Sequence, residues 1–235
     1  MLVENCDIRT GDDCVAGFDI EDMEVRDCRL NSACSVFRLG GHGLHIHDCI
    51  AHGPAEYYFR GCLTPEEKRT GADSRKNGRA NTLSFFTYFS DPSVRTRHTP
   101  GNILIENCLV ENADRFLHFN FSGNERWQSA HPPTDITFRA VIARGLLLPL
   151  CAYGAADEPL TLRIENSLLS FREVPPDALR VANYREITLK NVIFDNTGSA
   201  SIATWGGDGR IARENVLNLA EPLRRAEEAF SVQPI

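Results

Sequence analysis

Two adjacent carboxylates are the residues of this chain best suited to chemistry. Asp12 and Asp13 lie in the stretch RTGDDCVAGFD, between a glycine and a short apolar run. Paired carboxylates can hydrolyse a glycosidic bond, because one protonates the leaving oxygen while the other activates water or attacks the sugar. Acidic residues are also common in turns at the start of a strand. The pair therefore predicts either a turn or a hydrolytic site.

The elements that would position this pair recur along the whole chain. An alternating apolar strand is followed by a bend residue, mostly Asn or Asp, then by Cys or a small residue and a second short strand. The position after the bend falls at Cys6, Cys28, Cys49, Cys108, Val141, Ser167, Val192 and Val216. Such regular self-similarity is typical of a solenoid. Short strands and polar turns, without helix-length periodic segments, predict an all-β fold: a right-handed parallel β-helix of about eight coils, forming one domain over residues 1–235.

The bend residues and the cysteines have separate roles in this prediction. Asn and Asp tolerate the left-handed conformation that a sharp corner needs. The cysteines after the bends are expected to be small buried core residues, with disulfides between neighbouring coils as the alternative. Because the cysteines form no CxxC pair and lack the spacing of zinc ligands, we expect no metal and no cofactor.

The chain departs from the repeat at one long insert and at both ends. Residues 62–100 form the insert, whose LSFFTYF segment is apolar enough that we expect it to pack back on the coil. Residues 220–230 have the pattern of an amphipathic helix that would cap the last coil. Residues 1–8 are already repeat sequence, so the first coil has no cap. We therefore expect either that the chain is the C-terminal part of a longer solenoid or that another subunit covers this coil.

Alignment of the coils on their bends predicts one outward-facing polar stripe. Asp13, Ser35, Glu56 and Arg115 fall seven residues after the marker position in the first four coils. Glu56, two coils from Asp13, is an alternative second carboxylate. Arginine forks bind carboxylates and aromatic rings stack on sugars. The stripe thus predicts an oligosaccharide or polysaccharide partner, held by Arg38, Arg60, Arg115, His118, Tyr57 and Trp127.

The motif TGDDCVA resembles the GDDC-[IV]-A strand of the polygalacturonase-type glycoside hydrolases, family 28, which have a pectin-lyase-like β-helix. The motif covers the first two or three coils, while the whole chain is compatible with that fold. The resemblance implies an inverting hydrolase with Asp12 as general acid and Asp13 as base, and an Asn-Thr-Asp coil ahead of residue 1. Where the family has Gly-His-Gly on the next coil, this chain has Ala33 and Cys34. A separate Gly-His-Gly at residues 41–43 is predicted to be a turn.

Charge and hydropathy exclude several other classes of partner. A net charge of −7 and a pI near 5.5 argue against nucleic acid. No apolar run is long enough to span a membrane, and no signal peptide is visible, which leaves the localisation open. We expect a glycoside hydrolase. A non-catalytic glycan-binding or structural β-helix is the first alternative, and a uronate lyase or epimerase is the second.

Overall fold

A computed structural model of the chain describes residues 1–59, 66, 69, 79–91, 97–119 and 131–225. Among these residues, no helix is long and apolar enough to cross a membrane. The strands are β1 (Leu2–Glu4), β2 (Asp7–Thr10), β3 (Val15–Arg26), β4 (Arg29–Ser32), β5 (Ser35–His47), β6 (Ile50–His52), β7 (Thr82–Tyr88), β8 (Gly101–Glu106), β9 (Leu109–Glu111), β10 (Ala113–His118), β11 (Asp135–Arg139), β12 (Ile142–Leu146), β13 (Leu150–Tyr153), β14 (Leu160–Phe171), β15 (Leu179–Ala182), β16 (Tyr184–Asp195), β17 (Ile202–Trp205), β18 (Arg210–Leu217) and β19 (Leu223–Arg224).

The strands confirm the predicted all-β parallel β-helix. Each strand pairs in parallel with the strand one coil away, and the long strands bend to serve two faces. We call the face before each Asn or Asp bend the first sheet, the face after it the second sheet, and the remaining face the third sheet. The third sheet consists of the start of β3, the start of β5, and then β7, β10, β13, β15, β17 and β19.

The bends adopt the left-handed conformation that the sequence predicted. The backbone φ lies between 50° and 53° at Asn5, Asp27, Asp48, Asn107, Ala140, Asn166, Asn191 and Asn215. Seven of these eight residues are Asn or Asp, which tolerate this region at little cost. Asn215 also donates its side-chain N–H to Asn191, and Asn191 donates to Asn166. The bends therefore form a ladder that keeps the coils in register.

The cysteines after the bends are free thiols that pack beside the corner. Cys28, Cys49 and Cys108 are buried, and Cys6 is half-buried. Each thiol donates to the carbonyl two residues earlier, as Cys28 does to Arg26 at 3.0 Å. The Ser167 hydroxyl makes the same contact with Glu165 at 2.7 Å. A small donor side chain at this position thus satisfies a carbonyl at the corner of the coil.

The first sheet alternates strictly between core and solvent. Inward residues form an apolar column that runs through Val25, Ile46, Ile105, Phe138, Ile164 and Leu189. Outward residues form a second column, which we call the charge ladder: Glu4, Arg26, His47, Glu106, Arg139, Glu165, Lys190 and Glu214. Opposite charges are neighbours along most of the ladder, as with Lys190 and Glu214 at 3.1 Å.

The second sheet also alternates, but one of its outward columns is aliphatic. Its inward column includes the buried residues Leu30, Ala51, Val110, Ala143, Leu169 and Phe194. Its aliphatic outward column consists of Ile50, Leu109, Ile142, Leu168, Ile193 and Leu217.

The middle strands of the third sheet are largely buried, whereas the start of β3 and β19 are exposed or half-buried. All six residues of β10 and all four of β17 are buried. Aromatic rings cross the core beneath it: Phe85 stacks on Phe116 with ring centroids 5.4 Å apart, and Phe116 meets Phe138 at 4.8 Å. Since the residues of β10 and β17 are buried whichever way they point, these strands lack the alternation of the other two sheets.

Two parts of the chain differ from the predicted layout. The third coil's strand on the third sheet is β7, which lies inside the predicted insert 62–100, so LSFFTYF is itself part of the coil. The predicted capping helix over 220–230 is wrong for residues 220–225, because Leu223 and Arg224 form β19 and pair with β17. Residues 226–230 lie outside the described part of the chain.

Candidate functional site

Asp12 and Asp13 lie on the turn that joins β2 to the third sheet. The backbone N–H of Asp12 donates to the Thr10 hydroxyl at 3.1 Å. The Ser32 hydroxyl, one coil away, donates to the Asp12 carbonyl at 2.6 Å. The structure therefore contains the predicted turn, and contacts to the next coil fix the backbone that carries the two acids.

Asp13 is held by two donors from the second coil. The Ser35 backbone N–H donates to Oδ1 at 3.0 Å, and the Arg38 guanidinium lies 3.4 Å from Oδ2. The Asp13 side chain is only 7% exposed, and that of Arg38 is 25% exposed. Arg38 also stacks over the Phe89 ring, with 4.1 Å from Cζ to the ring centroid. The carboxylate and its cation are thus positioned by several independent contacts.

Cys34, on the second coil, completes this cluster. One side-chain ligand atom each from Asp12, Asp13 and Cys34 lies within 4.8 Å of the other two. Burial, together with the negative charge of Asp13, raises the pKa of the Cys34 thiol to about 12. Burial likewise raises the pKa of nearby Cys14 to about 12. Cys34 is therefore a neutral thiol at pH 7, able to donate a weak hydrogen bond. It would have to lose its proton to bind a metal ion.

Glu56 lies away from the acid pair. Arg9 Nη1 is 2.9 Å from both Glu56 carboxylate oxygens, and the Glu56 backbone N–H donates to Asn31 at 2.7 Å. In the third-sheet column of Asp13 and Ser35, the third coil contributes Ser84, not Glu56. The register predicted from the sequence differs here because the insert precedes the strand. Tyr57, beside Glu56, is 57% exposed.

Arg115 and His118 do lie on the third sheet, in β10, but both are buried. Arg115 is paired in register with Ser84, and His118 with Thr87. Thr87 is in turn paired with Arg38 of the second coil. Arg38 and His118 are thus two coils apart, roughly 10 Å along the axis. The strand register places Asp13, Arg38, Arg115 and His118 on the third sheet, but Arg115 and His118 are buried where the sequence predicted an outward-facing stripe.

A hydroxyl cluster connects the two ends of this face. The hydroxyls of Ser35 and Thr87 lie 2.9 Å apart, and that of Thr87 also contacts Ser84. All three residues are buried. Ser35 belongs to the predicted stripe, whereas Ser84 and Thr87 lie within the predicted insert and were not predicted. Their small polar side chains among the aromatics of LSFFTYF were the available signal.

The remaining candidates are placed as follows. Arg60 and Trp127 lie outside the described residues. Gly41 and Gly43 have φ values of 133° and 69°, so the chain turns here within β5. A Cβ at Gly41 would lie 2.1 Å from the Ile20 carbonyl oxygen, so glycine is required. His42 between them lies 3.1 Å from the Thr99 carbonyl through Nδ1.

Comparison of the chain with models of protein families, with curated proteins and with solved structures finds no match. The fold and the local geometry are therefore the basis for assigning a function.

Proposed function

We propose that the protein is a glycoside hydrolase that acts on an oligosaccharide or polysaccharide along the third sheet. The observation that supports this most directly is the placement of Asp12 and Asp13 beside each other, with Asp13 fixed by Arg38 and the Ser35 amide. The acids stand at one end of a face that also carries hydroxyls, Arg115 and His118. A row of such groups offers the donors that sugar hydroxyls and carboxylates require.

The contacts of the two acids suggest how they divide the reaction. Asp13 accepts two N–H donors, which position its carboxylate to act on the sugar either as a nucleophile or through water. Asp12 then protonates the leaving oxygen as the general acid. Cys34 lies beside the two acids as a neutral thiol that can donate a hydrogen bond. In this proposal it takes the position of a histidine without carrying charge.

The stereochemistry of the product tests whether these two acids act alone. Inverting enzymes separate their carboxyl groups by about 6.5–9.5 Å to leave room for water, and retaining enzymes by about 5–5.5 Å. Atoms of Asp12 and Asp13 approach within 4.8 Å. A pair this close fits direct attack on the sugar better than activation of water on its far face. Inversion, which the family resemblance implies, would require a further group.

A second candidate is a glycan-binding β-helix without hydrolytic activity. It is favoured by the low exposure of Asp13 and its ion pair with Arg38, which are also the properties of a structural salt bridge. A lyase that uses Ca²⁺ is less compatible with the cluster, because Ca²⁺ prefers oxygen ligands and Cys34 offers sulfur.

The experiment is a screen of plant and bacterial polysaccharides with the purified chain. Release of reducing ends from at least one glycan is the expected result, and ¹H NMR of the first product would then assign retention or inversion. Binding to a glycan without any release of reducing ends would overturn the hydrolase proposal in favour of the second candidate. Unsaturated, ultraviolet-absorbing products would indicate a lyase.

A further inference from the structure

Arg115 is a buried cation without a matching anion in the described part of the chain. Arg115 is 7% exposed, and its guanidinium Nη1 donates to the Cys151 sulfur at 3.1 Å and to the Pro149 carbonyl at 3.5 Å. Both acceptors are neutral or weak. An arginine keeps its charge in any protein environment, and an unpaired buried charge is costly.

The acid nearest in sequence does not compensate Arg115. Asp114 accepts a hydrogen bond from Asn81 at 2.5 Å and lies 3.4 Å from the Arg172 guanidinium. Elsewhere the molecule pairs its buried charges well. Asp177, whose side chain is 5% exposed, meets both Arg180 at 3.2 Å and Arg225 at 2.9 Å. Arg115 is therefore an exception within the described residues.

His118, three residues along the same strand, is also unsatisfied. It is 2% exposed, and within the described part of the chain neither ring nitrogen has a hydrogen-bond partner. Burial and the charge of Arg115 lower the pKa of His118 to about 3, so its ring is neutral at pH 7. A neutral imidazole carries one donor and one acceptor, and buried polar groups are almost always hydrogen-bonded. A cation without a paired anion and an imidazole without a hydrogen-bond partner, three residues apart on β10, are the features expected of a ligand site.

We propose that Arg115 and His118 bind an anionic group of the glycan, either a carboxylate or a sulfate ester. The inference rests on the proposed function insofar as the anion belongs to a sugar. The positive charge of Arg115 selects the anion, and the His118 ring N–H supplies a second donor to its oxygen atoms. Asp13, Ser35, Ser84 and Arg115 occupy one column on successive coils, so the anion site lies roughly 14 Å from Asp13 along the axis. A short oligosaccharide could occupy both places at once.

The experiment measures binding in the Asp12→Asn variant, so that turnover does not interfere. Glucuronate, glucose 6-sulfate and glucose are the probes, and calorimetry gives their dissociation constants. At least one anionic sugar is expected to bind 10-fold or more tightly than glucose. It should also shift the ¹⁵N resonances of the His118 ring. The better of the two anions identifies the group that the site takes.

Two substitutions test the assignment to these residues. Arg115→Gln should abolish the preference for the anionic sugar, whereas Arg172→Gln, which alters the cation beside Asp114, should leave it intact. If Arg115→Gln does not fold, as judged by circular dichroism, His118→Phe carries the same test. Equal binding of charged and neutral sugars without a further substitution would overturn the anion site. So would a preference that survives Arg115→Gln or, where that variant does not fold, His118→Phe.

Failure of this inference can be told apart from failure of the proposed function. An anion preference in a protein that hydrolyses no glycan would overturn the hydrolase proposal and support the site. Hydrolysis of a glycan without any preference for anionic sugars would support the hydrolase proposal and overturn the anion site.

Discussion

The first and third sheets of this β-helix use polar residues in opposite ways. On the first sheet, charges alternate along an exposed ladder, and each has a neighbour of opposite sign, as Arg139 has Glu106 and Glu165. On the third sheet, buried Arg115 has no paired anion and buried His118 has no hydrogen-bond partner among the described residues. The charges of the ladder are hydrated and paired with one another. Buried polar groups without a hydrogen-bond partner cost free energy, and a ligand can supply that partner. This difference is the reason we propose the third sheet as the functional face.

The largest expected effect concerns the core beneath the third sheet. Phe116→Ala removes a fully buried ring that contacts Phe85 and Phe138, and should lower the free energy of unfolding by about 3–5 kcal/mol. Ile142→Ala on the second sheet is the control, because Ile142 is 39% exposed. Urea unfolding measures both. A loss for Ile142→Ala as large as that for Phe116→Ala would contradict the burial on which the comparison depends.

His118 should make the third sheet sensitive to acid. Its folded-state pKa of about 3 lies below the ordinary value, because of burial and the charge of Arg115. Its contribution to stability is complete above pH 6.5 or so. As the pH falls towards 3, the unfolded chain takes up a proton that the folded chain does not, at about 1.4 kcal/mol per pH unit. His118→Gln should flatten this slope in urea titrations at successive pH values. A slope unchanged from the parent would show that His118 ionises freely.

His47 on the charge ladder should show the opposite dependence. Burial lowers its pKa, but hydrogen bonds to Asp48 and Glu24 outweigh this and raise it above the ordinary value. A raised pKa stabilises the fold below the unfolded-state pKa, and that increment is lost as the pH rises through the folded-state pKa. His47→Gln should therefore lower the melting temperature at pH 5 and have little effect at pH 9. The same loss at both values would rule out a charge effect.

The smallest effect is expected from the ladder's arginines. Arg139 is nearly half exposed, and exposed ion pairs contribute about 0–1 kcal/mol, which salt screens. Arg139→Gln should cost no more than this in urea unfolding at low salt, and less at high salt. Arg38→Gln, which leaves the buried Asp13 without its cation, should cost more. A larger loss of unfolding free energy for Arg139→Gln than for Arg38→Gln would contradict the distinction between exposed pairs on the first sheet and buried pairs on the third.

The coil structure was predictable because each bend carries its own local signal. Asn107 and Asn191 mark left-handed corners by residue type, and the strands before them alternate with period two. Because this signal does not depend on distant contacts, it can be recognised in the sequence alone. Ala140 occupies the same conformation without the signal, and only the spacing of the repeat identified it.

The third sheet was harder to predict because distant contacts determine it. LSFFTYF does not alternate, since both faces of β7 are buried. The insert ahead of β7 also shifts the spacing between coils, so counting residues from the bend placed Glu56 in the stripe where the structure has Ser84. The burial of Arg115 depends on Cys151 and Pro149, more than thirty residues away. At the C-terminal end, pairing of Leu223 with Ala203 prevails over a local helical pattern.

The most direct test of the third sheet as a catalytic face is the kinetics of its two acids. On a glycan that the parent hydrolyses, Asp12→Asn and Asp13→Asn should each lower kcat by about 10²-fold or more, since general acid and base catalysis contributes about 10²–10⁴-fold. Asp195→Asn, an exposed acid on the second sheet, should match the parent. Hydrolysis by Asp12→Asn at the parent's rate would contradict the central claim.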